Sequence, residues 1–359
     1  MNAMTRRTIA ATATVSMALT LAACGQSGSS SKSASTKTIG LLLPEKASSS
    51  RYESFDKPLI EASISGLCKC VVDYSNANGE EITQKQQFDA LLAKGVKVIL
   101  LDPVNAQNTA SWVDEAAAKG TKVIAYDRLA AGKVAAYVSF DNERTGEMQG
   151  QALLDALGSK AGDAQVVMIN GAASDPNAAS FKAGAHKALD GKVKSIAYEQ
   201  SGDWKPDVAA QKMTEAIHSL GKSGIQAVYS ANDGMATSII QTLQANGMNN
   251  VPVGGQDASV DAVRRVISGE QAYTIYKPYK PEADAAADIA VYLLEGLDAT
   301  SVASTVVNSG GIQVPSMLLT PLVVTKPTVA RTVIAGGLYQ ASDLCNQQYA
   351  DACSQIGIK

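Results

Sequence analysis

From Lys37 onward the chain alternates short apolar runs with longer segments at helical spacing, and this alternation limits its fold more than any other feature. "TIGLLLP", "CVVDYS", "VKVILLDP" and "KVIAYD" read as strands. Between them "ITQKQQFDALLAKG" and "TASWVDEAAAKG" carry helical spacing and stop at a glycine, the usual residue past a helix end. The pattern resumes with "AQVVMIN", "VKSIAYEQ", "GIQAVYSAND" and "VPVGGQD", separated by helices such as "DVAAQKMTEAIHSLGKSG". Continuous apolar strands alternating with helices mean parallel sheets covered on both faces. Two such series predict an α/β protein of two Rossmann-like lobes, each a doubly wound parallel sheet.

The segment before this pattern has a different character. Arg6 and Arg7 precede an apolar run from Thr8 to Leu21, which ends in "LAAC". A charged start, an apolar stretch too short to span a bilayer and small residues at the end read as an export signal over residues 1–23. "LAAC" resembles a lipobox, which implies a lipid-modified Cys24 and a Gly/Ser-rich tether over residues 24–37. The expected body is extracytoplasmic, held to the membrane by its lipid alone. The 31 Lys and Arg and 34 Asp and Glu of the 359 residues are dispersed, which argues against a nucleic-acid partner. Besides Cys24, four cysteines remain: Cys68, Cys70, Cys345 and Cys353. Cys345 with Cys353 is the expected bridge near the C-terminus, whereas the pairing of Cys68 and Cys70 stays open. The spacing does not suit a metal site, and no Gly-rich phosphate loop occurs, so no metal or cofactor is expected.

The strands share one habit at their carboxyl ends. "VIAY" runs into Asp127 and Arg128, "YVSF" into Asp141 and Asn142, and "VVMI" through a small-residue turn to Asp175 and Asn177. "SIAYEQ" leads to Asp203 and Trp204, "AVYSA" to Asn232 and Asp233, "VPVGGQ" to Asp257 and "YTIY" to Lys277. In open α/β sheets the ligand crevice lies beyond the carboxyl ends of the strands, so facing lobes would gather these groups in one cleft. Carboxylates, carboxamides and guanidinium are planar and can engage two neighbouring hydroxyls at once. An indole offers a flat face to aliphatic C–H. A sugar ring needs both. No "GxSxG" elbow is present, the histidines fall in helical segments, and the acids are interleaved with bases that keep them ionised, so no catalytic residue is expected.

At "YDR", "SFDNE", "SAND", "GGQDA", "IYKP" and "LLTPLVVTKPTV" the sequence resembles the type I periplasmic sugar-binding proteins of ATP-driven importers, above all those for D-xylose. The resemblance implies a monosaccharide enclosed between two lobes joined by three crossovers, a permease with its ATPase as partner, and a monomer. It places Arg51, Tyr52, Asp127 and Arg128 on one wall and Asn177, Trp204, Asn232, Asp257 and Lys277 on the rest of the site. Glu45 and Lys46 stand where family members often carry an arginine or an acid, and are further candidates. Asp141 reads first as a helix cap and second as a contact. The lobes are expected at residues 38–140 with about 278–312, and 141–277 with about 313–340, followed by a tail at 341–359. A sensor presenting sugar or polyol to a membrane receptor uses the same site, and a non-sugar polar ligand such as a quorum signal is a further alternative.

Overall fold

The structure, a computed structural model, describes residues 37–46 and 49–358. The expected export signal and Cys24 lie outside the described residues, as does the tether up to its last residue. The chain first lays down β1 (Lys37–Leu43), α1 (Lys57–Leu67), β2 (Cys70–Asn76), α2 (Glu81–Ala93), β3 (Val98–Leu101), α3 (Ala110–Ala118), β4 (Lys122–Tyr126) and β5 (Ala136–Phe140). It continues through α4 (Asn142–Leu157), β6 (Gln165–Asn170), α5 (Pro176–Leu189), β7 (Ser195–Ser201), α6 (Pro206–Leu220), β8 (Ala227–Ser230), α7 (Asp233–Ala245), α8 (Val260–Ser268) and β9 (Thr274–Tyr276). It closes with α9 (Tyr279–Leu294), β10 (Thr305–Ser309), β11 (Ile312–Leu319), β12 (Leu322–Val324), α10 (Ala341–Leu344) and α11 (Ala350–Gln355).

Two sheet systems result. The first lobe holds a seven-stranded sheet in the order β10-β11-β5-β4-β3-β1-β2, parallel except for the β10–β11 pair. Its central strands are apolar on both faces, and separate cores form on either side: Ile39, Leu41, Val98 and Ile124 against α1 and α9, and Leu42, Ile99, Leu101 and Val123 against α2 and α3. The second lobe is built on β7-β6-β8, parallel throughout, with the short antiparallel pair β12-β9 beside its core. "VPVGGQD" does not form the expected strand; Val253 makes a single bridge to Val228. The two glycines that follow are needed for close approach. A Cβ on Gly254 would lie 2.1 Å from the Tyr273 hydroxyl, and one on Gly255 would lie 2.1 Å from an Asp233 carboxylate oxygen.

The chain passes between the lobes after β5, after β9 and after β11. The third passage differs from the boundary expected near residue 312. Gly310 and Gly311, at φ of 58° and 89°, form a two-residue turn that pairs Ser309 with Ile312, so they close a hairpin rather than start a crossover. β11 then lies parallel to β5 in the first lobe, and the passage falls at Thr320–Pro321. The tail packs on α8 through Leu344, Cys353 and Ile358, and the Cys345–Cys353 bridge is formed. Cys68 and Cys70 are also bonded to each other.

Candidate functional site

Tyr126 to Arg128 explains why charges end a core strand. The Arg128 N–H donates to the Tyr126 carbonyl at 2.6 Å, closing a three-residue γ-turn about Asp127, whose φ is 55°. A left-handed backbone is costly for a non-glycine residue. The turn is held because three donors converge on the Asp127 carbonyl: Ser139 Oγ at 2.7 Å, Asn177 Nδ2 at 3.0 Å and the Tyr137 hydroxyl at 3.1 Å. Asn177 belongs to α5 of the second lobe, so one of these bonds ties the lobes together. The turn throws both side chains out of the sheet: the Asp127 carboxylate meets Arg51 and Tyr52 of its own lobe, and Arg128 reaches Asp175 of the other. Trp204 and Asp257 share this backbone habit, at φ of 57° and 94°. Strained residues of this kind cluster where side chains must be aimed at a ligand.

All nine expected contacts line one cavity between the lobes, joined by Ser49, Asp175, Phe181 and Gln256. The walls stand close together and leave a cavity of only about 20 Å³ between them, so a ring can enter only when the lobes part. A larger, more open hollow on the outer face of the second lobe lies between α4, α5 and the β12 end and gathers none of the nine.

On the first-lobe wall, Arg51 is buried and its guanidinium is gripped from behind. Asp56 takes two N–H groups, from Nε at 2.8 Å and Nη2 at 2.6 Å; Glu282 takes the other Nη2 proton at 2.7 Å; Asp127 takes one from Nη1 at 3.2 Å. The Tyr52 and Tyr279 rings lie over its Cζ, 5.3 and 4.7 Å from their centroids. Arg128 is likewise engaged. Its Nη2 donates to Glu45 Oε1 at 2.8 Å, its Nη1 to the Pro103 carbonyl at 3.2 Å, and its Nε sits 3.0 Å from Asp175 Oδ2 across the cleft. Burial alone would push the Asp127 carboxyl up, but Arg51, Lys277, Arg128 and the Tyr52 hydroxyl outweigh it and hold Asp127 below the ordinary carboxylate value. Asp175 moves the opposite way, because burial outweighs the attraction of Arg128.

The second-lobe wall is made of helix starts. Asp175 caps α5 by accepting from the Asn177 N–H at 2.8 Å, and Asn232 caps α7 by accepting from the Met235 N–H at 2.9 Å. Trp204 donates from Nε1 to Asp175 Oδ2 at 3.1 Å while its ring packs over Gly171, where a Cβ would meet it at 2.1 Å. α5 itself sits close to α4 because glycines face each backbone: a Cβ on Gly184 would lie 1.9 Å from the Glu143 carbonyl oxygen, and one on Gly146 2.0 Å from that of Phe181. Lys277, in the second passage between lobes, pairs with Asp257 at 2.9 Å. Burial lowers its affinity for a proton, but Asp257 and Asp127 more than offset this.

A periplasmic binding protein domain matches residues 39–298. The chain belongs to the periplasmic binding protein family. A D-xylose-binding periplasmic protein of Escherichia coli (strain K12) is 37% identical over 276 residues, covering 75% of this chain and 82% of that protein. Another, from Haemophilus influenzae, is 32% identical and covers 74% and 80%. A carbohydrate transporter solute-binding protein of Chloroflexus aurantiacus, solved in complex with D-glucose, superposes with a TM-score of 0.77 at 27% identity, covering 86% of this chain and 98% of that one. The type I fold inferred from the motifs is the fold of this chain.

Within this periplasmic binding protein, three candidates fall outside the cavity lining. Asp141 caps α4 by accepting from the Arg144 N–H at 3.0 Å and is exposed, so its helix-start role prevails over a contact role. Lys46 points at Glu53, 3.7 Å away, with its side chain 54% exposed. Glu45 stands behind the wall as the partner of Arg128. Conversely, Asp175 was named only as a strand end of the cleft, and Ser49, Phe181 and Gln256 of the lining were passed over, as were Asp56, Asp102 and Glu282 behind it. Asp175 and Gln256 each stand beside a residue that was chosen. Asp56 and Glu282 lie on helical turns, where an acid ordinarily signals a solvated face.

Proposed function

We propose that this protein captures a monosaccharide, D-xylose or a similar aldose, between its two lobes and delivers it to the permease of an ABC importer driven by a cytoplasmic ATPase. The observation that carries this reading is the single cavity into which both lobes turn planar hydrogen-bonding groups beside one indole. Arg51, Asp127 and Arg128 grip hydroxyls from the first lobe; Asn177, Asn232 and Asp257 do so from the second, with Lys277 between them. Trp204 offers its ring to the C–H face. Sugar favours the closed arrangement to the extent that it touches both walls at once, and the three passages between lobes act as the hinge. The protein acts as a monomer outside the cytoplasm, anchored by lipid on Cys24. Among the described residues no helix is long and apolar enough to cross a membrane. Its work is binding rather than catalysis, as in its family.

Calorimetric titration of the purified protein with pentoses, hexoses and polyols tests this. Saturable heat with D-xylose or a close aldose is expected, and flat heats across all sugars would overturn it. A polyol preference is the second reading. It is favoured by similarity to a xylitol-binding protein of Mycolicibacterium smegmatis, 28% identical over 299 residues and covering 81% of this chain. Heat with xylitol and none with xylose would select that reading.

A further inference from the structure

Glu282 sits in the first turn of α9, directly after the second passage between lobes, in a helix otherwise rich in alanine. Its side chain is wholly buried, and it reaches Arg51 across 231 residues of sequence. Its other oxygen, Oε1, is buried without a hydrogen-bond partner among the described residues. A core position that needed only packing would be filled at less cost by an apolar side chain. The arrangement around Arg51 shows what the acid supplies. A guanidinium has five N–H donors in a fixed fork, and Asp56, Glu282 and Asp127 occupy all but one of them, an Nη1 proton. Asp56 alone leaves the fork free to tilt about its bidentate edge. Glu282 on the second Nη2 proton removes that freedom, while the Tyr279 ring of the same helical turn covers the guanidinium face.

We propose that Glu282 is a positioning residue for the sugar site: by accepting from Arg51 Nη2 it fixes which guanidinium proton meets the ligand, without touching the ligand itself. The inference rests on the sugar reading above. The charged and titratable groups around Glu282 include Arg51, Asp127, Asp56, Lys277 and Tyr126. Burial pushes its carboxyl well up, Arg51 and Lys277 pull it down, and the acids at 127 and 56 push it further up; the net movement is toward the neutral form. Because Oε2 stands 2.7 Å from Arg51 Nη2, the reach of that oxygen acceptor, beyond its charge, is what holds the fork.

Two conservative variants separate these. Glu282→Gln keeps an oxygen at the same reach and gives up the charge; Glu282→Asp keeps the charge and withdraws the oxygen by one methylene. Titration of the purified protein with D-xylose is expected to show Glu282→Gln within about threefold of wild type and Glu282→Asp weaker by about tenfold or more. Melting of the ligand-free proteins reports any general loss of structure. Equal affinity in the two variants, or tighter binding by Glu282→Asp, would overturn the proposal. Wild-type protein run alongside keeps the two questions apart. Heats absent even there remove the sugar reading, whereas wild-type heats with an unaffected Glu282→Asp remove the role of Glu282 alone.

Discussion

The two walls of the cavity are built on different principles. The first lobe presents cations already locked to carboxylates: Arg51 to the buried Asp56 and Glu282, and Arg128 to the half-buried Glu45, with the buried Asp102 3.6 Å away. The second lobe presents side chains that are also helix caps, as at Asn232 and Asp175. One wall is rigid because charges behind it neutralise one another. The other is rigid because its polar groups complete the first turn of a helix. Site and scaffold are therefore entangled on both sides, and the energy at stake differs.

The largest effect is expected from Arg51→Met. It leaves Asp56, Glu282 and Asp127 without their shared cation, and breaking buried pairs of this kind costs about 3–5 kcal/mol. Chemical denaturation should show that loss, and titration should show sugar binding abolished. A variant as stable as wild type would erase the contrast between the walls. Next comes Gly184→Ala, which drives α5 away from α4 and with it Asn177 and Phe181; a destabilisation of about 1–3 kcal/mol is expected, with weakened affinity. Asn232→Ala removes a cap and should cost about 0.5–2 kcal/mol together with an affinity loss of at least tenfold. Destabilisation equal to that of Arg51→Met would show the second wall to be as charge-dependent as the first.

Acid separates the walls as well. Because Asp127 is held below the unfolded carboxylate value of about 3.9, its contribution to stability is present above that pH. It is lost as pH falls through the lower folded value. Melting curves from neutral to strongly acidic pH should show wild type and Asp127→Asn converging at the acid end, and a gap that widens there would contradict the assignment. The smallest effect on binding belongs to Asp141→Ala. It should lose about 1 kcal/mol of cap stability and keep its sugar affinity.

The layout of the chain was legible because its cause is local. Apolar runs of strand length separated by helical spacing specify parallel sheets, and residues such as Asp127 and Asn232 stand out as polar groups at strand ends. What escaped reading depends on distant partners. Glu282 meets Arg51 only after the chain has built both lobes, and nothing near residue 282 distinguishes it from a solvated helical acid. The left-handed turns at Asp127 and Trp204 are held by tertiary donors and packing, so no glycine announces them. Gly310 and Gly311 make a turn, but a turn alone does not say whether the chain folds back in one sheet or passes to another. That was decided by the pairing of β11 with β5. Asp141 serves the helix it starts, as its position before "NERTGEMQ" indicated.

Diffraction from crystals grown with D-xylose tests the account most directly. It predicts one sugar ring enclosed between the lobes, hydrogen-bonded to Arg51 or Asp127 on one side and Asn232 on the other, with a face against Trp204. A sugar seated in the outer hollow between α4 and α5, or held by a single lobe, would contradict it.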